Sequence, residues 1–174
     1  MKKFIFVLLL TCTILGIPWT KVNAEEAECD LYKEEISSVQ VLSISNDKTV
    51  YITDDDLYLM AQIVYAESRS EPYEGKVAVA SVILNRVKSP GFPKSVENVI
   101  KQKGAFSCIK NGEIDVVPDE SSYSAVLDAL KGKDPTNKAV FFYNPKIATS
   151  KWMKNISKSN VKPIGNHVFF VVNK

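Results

Sequence analysis

The sequence predicts an α+β fold, mainly helical with a small antiparallel sheet, and three observations carry that prediction. Apolar residues recur at helical spacing from Asp54 to Glu67 and again from about Pro72 to Val87, so two helices follow one another directly. A third helical stripe runs from about Asp119 or Glu120 to Lys131. Only after it come two short apolar runs, Ala139–Tyr143 and His167–Val172, which read as strands. Helices first and strands last is the order of a segregated α+β domain rather than of a doubly wound sheet.

Ahead of these elements, residues 1–24 have the composition of a secretory signal peptide. Lys2 and Lys3 precede the apolar run Phe4–Ile17, and Val22-Asn23-Ala24 offers a small-residue cleavage site. The run is shorter than the roughly twenty apolar residues a spanning helix needs, so export and release are expected, with no stable membrane insertion. The remaining chain suits one domain of about 150 residues around one core. Residues 25–52 are polar and acidic, alternate only weakly at Val39, Val41 and Ile44, and read as a linker or loosely held arm; residues 53–174 form the domain proper.

The whole chain has 22 Lys+Arg and 20 Asp+Glu, a formal charge of +2. Loss of Lys2, Lys3 and Lys21 leaves 19 basic against 20 acidic residues, a net −1. The acidic excess sits in the arm and the basic excess in the domain. A basic exported domain suits an anionic polymer, and a solvated lysine surface reads equally well. The lysines form no tight run and are not interleaved with aromatics, which disfavours a nucleic-acid groove. A single histidine excludes multi-histidine zinc sites, and no metal or other cofactor is expected. A disulfide between Cys29 and Cys108 is permitted outside the cell, and the sequence leaves it open. A monomer is expected.

Taken in order, the first helix starts at Thr53, an N-cap followed by Asp54, Asp55 and Asp56 in the first turn, where acids complement the helix dipole. Leu57, Met60, Ala61, Val64 and Tyr65 form its buried stripe, and Glu67 emerges at the inner edge of its last turn. The second helix places Pro72 in its first turn, buries Val79, Val82, Ile83 and Val87, and stops at Ser89-Pro90-Gly91. Its small residues Ala78, Ala80 and Ser81 mark it as central. A helical turn is expected at Ser95–Lys101, and a β-hairpin from Phe106–Ile109 and Glu113–Val116 around Asn111-Gly112. The third long helix buries Tyr123, Val126, Leu127 and Leu130 and ends at Gly132.

Glu67 and Glu71 lie four residues apart across a helix-to-helix junction. A half-buried carboxyl among apolar neighbours holds a proton readily and can give it to a leaving oxygen. Pairing with Arg69, or capping of the helix at Pro72, is the ordinary alternative for either residue.

Tyr65-Ala-Glu-Ser-Arg-Ser-Glu-Pro-Tyr-Glu-Gly-Lys-Val-Ala-Val-Ala-Ser-Val-Ile-Leu-Asn-Arg-Val87 closely resembles the catalytic segment of the SleB/CwlJ group of cell-wall hydrolases, the spore cortex-lytic enzyme family. Gly104-Ala105-Phe106-Ser107-Cys108, Phe142-Tyr143-Asn144-Pro145 with Ala148-Thr149-Ser150-Lys151-Trp152, and Ile164-Gly165-Asn166-His167-Val168-Phe169 resemble its later blocks in the same order. The resemblance implies a lysozyme-like domain that cuts peptidoglycan glycan strands between N-acetylmuramic acid and N-acetylglucosamine as a lytic transglycosylase. It also implies that Glu67 is the catalytic acid. Spore cortex and vegetative wall both stay open as the substrate.

Glu71, Phe106, Ser107, Tyr143, Trp152 and His167 are the substrate-binding candidates. Phe106, Tyr143 and Trp152 could stack on sugar rings or simply fill core. Glu71 facing Glu67 would turn the enzyme into a hydrolytic muramidase, which needs two carboxylates. A non-catalytic wall-binding module is a further alternative. A thiolate–imidazole pair from Cys108 and His167 would make a peptidase; an inert cysteine and a hydrogen-bonded histidine are the plainer reading.

Overall fold

The computed structural model describes residues 40–44 and 48–173, with side chains from Thr49 onward. Its described elements are β1 (Gln40–Ile44), β2 (Lys48–Ile52), α1 (Asp54–Ser68), α2 (Tyr73–Lys88), α3 (Val96–Ile100), α4 (Glu120–Leu130), β3 (Phe141–Tyr143), α5 (Lys151–Asn155), β4 (Lys158–Ile164) and β5 (His167–Val172). This is the expected α+β architecture, helical with a three-stranded antiparallel sheet of order β3-β5-β4. None of the described helices is long and apolar enough to cross a membrane. The expected signal peptide and Cys29 lie outside the described residues.

Local chemistry sets the helix starts. Thr53 forms a reciprocal capping box with Asp56 before α1, Ser95 accepts from Asn98 N before α3, and Asp119 accepts from Ser122 N before α4. Gly132, at φ +94°, follows α4 in the left-handed conformation that ends a helix without a Cβ penalty. The central helix is α2, which packs against α1, α3 and α4 and touches β3 and β4. It is buried on nearly every side, so its apolar pattern is continuous rather than striped. Lys76, only 6% exposed, reaches out of it to the Asp119 carboxylate at 3.1 Å. That contact ties the middle of the bundle to the cap of α4.

Two expectations are corrected. Part of the supposed arm is ordered: residues 40–44 and 48–52 pair as an antiparallel hairpin, with Gln40 opposite Ile52. Ile52 is fully buried in the core, so β2 is anchored by an apolar residue at its last position. The expected hairpin over Phe106–Val116 is reduced to one bridge between Lys110 and Glu113 around Asn111-Gly112. Buried Gln62 donates to Val116 O at 2.9 Å and Ile114 O at 3.4 Å. Carbonyls held by an α1 side chain are not available for a strand ladder.

The sheet carries aromatic residues on both faces. Phe142 lies opposite Phe169, and Phe141 opposite Phe170. His167, Phe169 and Phe142 share one face, since side chains alternate along a strand. Phe141 and Phe170 share the other, where Trp152 of α5 meets Phe141 edge-on at 5.4 Å. The turn between β4 and β5, Gly165-Asn166, brings His167 opposite Ile164.

Candidate active site

The last turn of α1, the 104–107 loop, the start of β5 and the 142–153 segment enclose a cleft of about 380 Å³. Glu67 stands in it, half-buried, where the α1 register predicts. Its Oε1 accepts two hydrogen bonds from one residue, Ser107, at 3.1 Å from the backbone N–H and 3.2 Å from the hydroxyl. Both donors converge on the same oxygen. The carboxyl is thereby fixed in plane, with Oε2 on the other side.

The surroundings of Glu67 are less apolar than its helical neighbours suggest. Arg86, on α2 and 4% exposed, also lines the cleft. Its Nε donates to Val140 O at 2.8 Å, and its guanidinium packs on the rings of Phe106 at 5.0 Å, Phe92 at 5.7 Å and Phe141 at 5.9 Å. Burial lowers its pKa to about 10, with the charge of Glu67 acting in the opposite direction. At neutral pH it therefore remains a cation beneath the cleft. Sequence reasoning missed this residue. The signal was present: Arg86 follows Val82 by four and Ile83 by three, at a position of the buried stripe where an unneeded charge is costly.

Phe106, Ser107, Tyr143 and His167 all line the cleft with Glu67. Phe106 is 5% exposed and serves as packing as well as lining. Trp152 is placed one step away. It is 49% exposed and borders an adjoining hollow of about 490 Å³ with Phe92 and Gln102. The two hollows share Arg86, Gly104, Ala105, Ser150 and Met153, so they adjoin.

Glu71, the other carboxylate of the junction, is not among the residues that line this cleft. Nor is Glu71 the N-cap of α2, a position held by Pro72 with no side-chain cap hydrogen bond. Its side chain is 5% exposed, and its carboxylate accepts Asn166 N at 2.8 Å and Asn166 Nδ2 at 3.2 Å in the β4–β5 turn. Gly165, at φ +58°, makes this approach possible: a Cβ there would lie 2.0 Å from Glu71 Oε2. His167 Nδ1 is buried without a hydrogen-bond partner, 3.8 Å from Glu71 Oε1.

The thiol of Cys108 is pushed up to about 12, chiefly by burial and then by the charge of Glu67. It stays protonated at neutral pH, the opposite of an activated nucleophile. A larger hollow of about 510 Å³ lies among the C-terminal ends of α2 and α4 and the 132–138 segment. It holds none of the candidate residues, and its one carboxylate, Asp134, is occupied by Asn85, Thr136 and the Lys138 amide. The chemistry therefore points to the smaller cleft.

The family described as Cell Wall Hydrolase matches residues 70–170, a stretch that begins three residues after Glu67. Over 117 residues, 67% of this chain, the sequence is 50% identical to a spore cortex-lytic enzyme of Halalkalibacterium halodurans and 47% identical to one of Bacillus subtilis. The matched part spans only 35% and 38% of those relatives. Among solved structures, the catalytic domain of the Bacillus cereus SleB protein is 45% identical, with a TM-score of 0.63 over 74% of this chain and 95% of that one. The catalytic domain of the germination-specific lytic transglycosylase SleB from Bacillus anthracis is 44% identical, with a TM-score of 0.63 over 74% and 100%.

Proposed function

This chain belongs to the cell wall hydrolase family, and from that premise we propose that it cuts peptidoglycan glycan strands as a lytic transglycosylase, with Glu67 as acid and then base. One observation carries the choice of reaction. Among the described residues lining the cleft, Glu67 is the sole carboxylate. A hydrolytic muramidase uses a second carboxylate to activate water or to form a covalent intermediate. The nearest sequence candidate for that role, Glu71, is engaged by the β4–β5 turn.

The geometry around Glu67 suits a reaction that uses one acid twice. Because Oε1 faces the Ser107 N–H, a proton is carried on Oε2 and delivered from there. In the first half, Oε2–H protonates the glycosidic oxygen while the bond from muramic acid C1 to that oxygen breaks. In the second, the resulting carboxylate removes the proton of the muramic acid C6 hydroxyl, and O6 bonds to C1. The proton lost in the first step is regained in the second, no water is consumed, and the product ends in a 1,6-anhydro ring. Arg86 and the two Ser107 donors stabilise the intervening carboxylate.

The two adjoining hollows, one lined by Tyr143 and the other by Trp152, offer successive sugars aromatic faces to lie against. The relatives' names point to spore cortex as the substrate, and the chain reaches it by export through the leader at residues 1–24. Digestion of purified cortex and of vegetative walls, followed by mass analysis, tests the proposal. Anhydro-ended muropeptides, more abundant from cortex, are expected. Products heavier by one water, with reducing muramic ends, would make the enzyme a muramidase; released peptides would make it a peptidase.

A further inference from the structure

Glu71 is held by the β4–β5 turn rather than lining the cleft, yet it faces His167, a cleft residue whose chemistry depends on which ring nitrogen carries a proton. We infer that the Glu71 carboxylate sets the tautomer of His167, holding the proton on Nδ1 and leaving Nε2 as a hydrogen-bond acceptor on the cleft wall. The glycan contact made there rests on the function proposed above. The tautomer does not.

Four features of the structure lead to this assignment. His167 is 9% exposed, and the exposure it keeps opens on the cleft it lines with Glu67. Its Nδ1 is the buried nitrogen, without a hydrogen-bond partner, and the Glu71 Oε1 lies 3.8 Å away. Phe142 and Phe169 meet the ring edge-on at 5.3 Å and 6.2 Å, which fixes its plane and offers Nδ1 no acceptor. Glu71 itself is immobilised by both Asn166 donors and by the absence of a Cβ at Gly165.

In a neutral imidazole one nitrogen carries the hydrogen and the other a lone pair. A lone pair aimed at a carboxylate oxygen is repelled, whereas an N–H is attracted. At 3.8 Å the separation exceeds a hydrogen bond, so the carboxylate selects the tautomer through its field in a poorly solvated pocket. The remaining nitrogen then accepts. A peptidoglycan strand offers donors of two kinds at that point, sugar hydroxyls and acetamido N–H groups. Glu71 is thus a positioning residue that acts through His167.

His167 is the single histidine of the chain, so an imidazole nitrogen spectrum of the full-length protein contains one spin system. With ¹⁵N-labelled histidine, at a pH where the ring is neutral, the Nδ1–H tautomer is expected to predominate, against the usual preference of imidazole in water. Glu71→Gln should move the population toward Nε2–H without changing the dispersion of the amide spectrum. A wild-type spectrum dominated by Nε2–H overturns the inference, whether or not the variant folds. A folded Glu71→Gln protein with an unchanged tautomer overturns it equally.

The contact is read separately by adding purified glycan strands to Glu67→Gln protein, which binds without turnover. The Nε2 resonance is expected to shift together with the Ser107 and Tyr143 signals. Shifts at Ser107 and Tyr143 with Nε2 unmoved remove the glycan contact alone. No shift at any cleft residue removes both the contact and the proposed function.

Discussion

Glu67 and Glu71 are the same residue type at one helix junction, four positions apart, and they meet opposite environments. Glu67 has one oxygen held by Ser107 and a side chain that opens on a groove. Glu71 has both oxygens occupied by Asn166 and 5% exposure. An acid is useful for proton transfer when its geometry is fixed through one oxygen while the other remains accessible. An acid with both oxygens satisfied is a fastener.

The contrast is broken most directly at Glu67. Glu67→Gln keeps the shape and removes the proton, and lysis should fall by roughly 10³-fold, the scale of a lost general acid. Sedimentation with walls should persist, and lysis that survives the substitution would move the acid elsewhere. The largest effect on the Glu71 side comes from Gly165→Ala. The added Cβ displaces a buried carboxylate and must adopt φ +58°, so stability should drop by about 2–4 kcal/mol in a denaturant titration. An unchanged midpoint would mean that the turn is not held by Glu71.

Ser107→Ala sharpens the comparison by removing one of the two bonds to Oε1 and keeping the backbone one. A bond to a charged acceptor contributes about 1.5–3 kcal/mol, so kcat should fall by about 10-fold or more with little change in melting temperature. A loss confined to KM would show that Ser107 contacts sugar rather than orienting the acid.

The smallest expected effect concerns Cys108. Its thiol is held up to about 12 in the fold and ionises near 9.0 when unfolded. The folded state therefore keeps a proton that the unfolded state has lost, and stability is retained below about pH 9 and declines as pH rises towards 12. Cys108→Ala should flatten that alkaline decline in thermal melts. A slope unchanged by the substitution would place its origin elsewhere.

What could be read from sequence was what local chemistry encodes. The capping residue Thr53 located the start of α1, the helical turn expected from Ser95 located α3, and the run His167–Val172 located β5. Glu67 was legible because helical spacing fixes where the last turn of α1 points. β4 was missed: Lys158–Ile164 is polar, mostly exposed and contains Pro163, and only pairing with β5 makes it a strand. β1 and β2 were missed because their acidic setting hides a short backbone pairing. The partner of Glu71 lies 95 residues away, and no local pattern announces it. Phe106–Val116 failed for the converse reason, since a good turn dipeptide was overruled by Gln62 from a distant helix.

Arg86 lies under the groove with its Nε on a backbone carbonyl and its guanidinium packed on three rings, shielded from bulk counterions. Added salt weakens attractions between exposed charges and has little purchase on a cation so enclosed. The floor of the cleft should therefore hold its contour from dilute buffer to brine, while any long-range pull of the lysine-rich exterior on an anionic polymer fades. On the proposed function, ionic strength would then govern how often the protein finds its polymer and leave the geometry around Glu67 unaltered once it is seated.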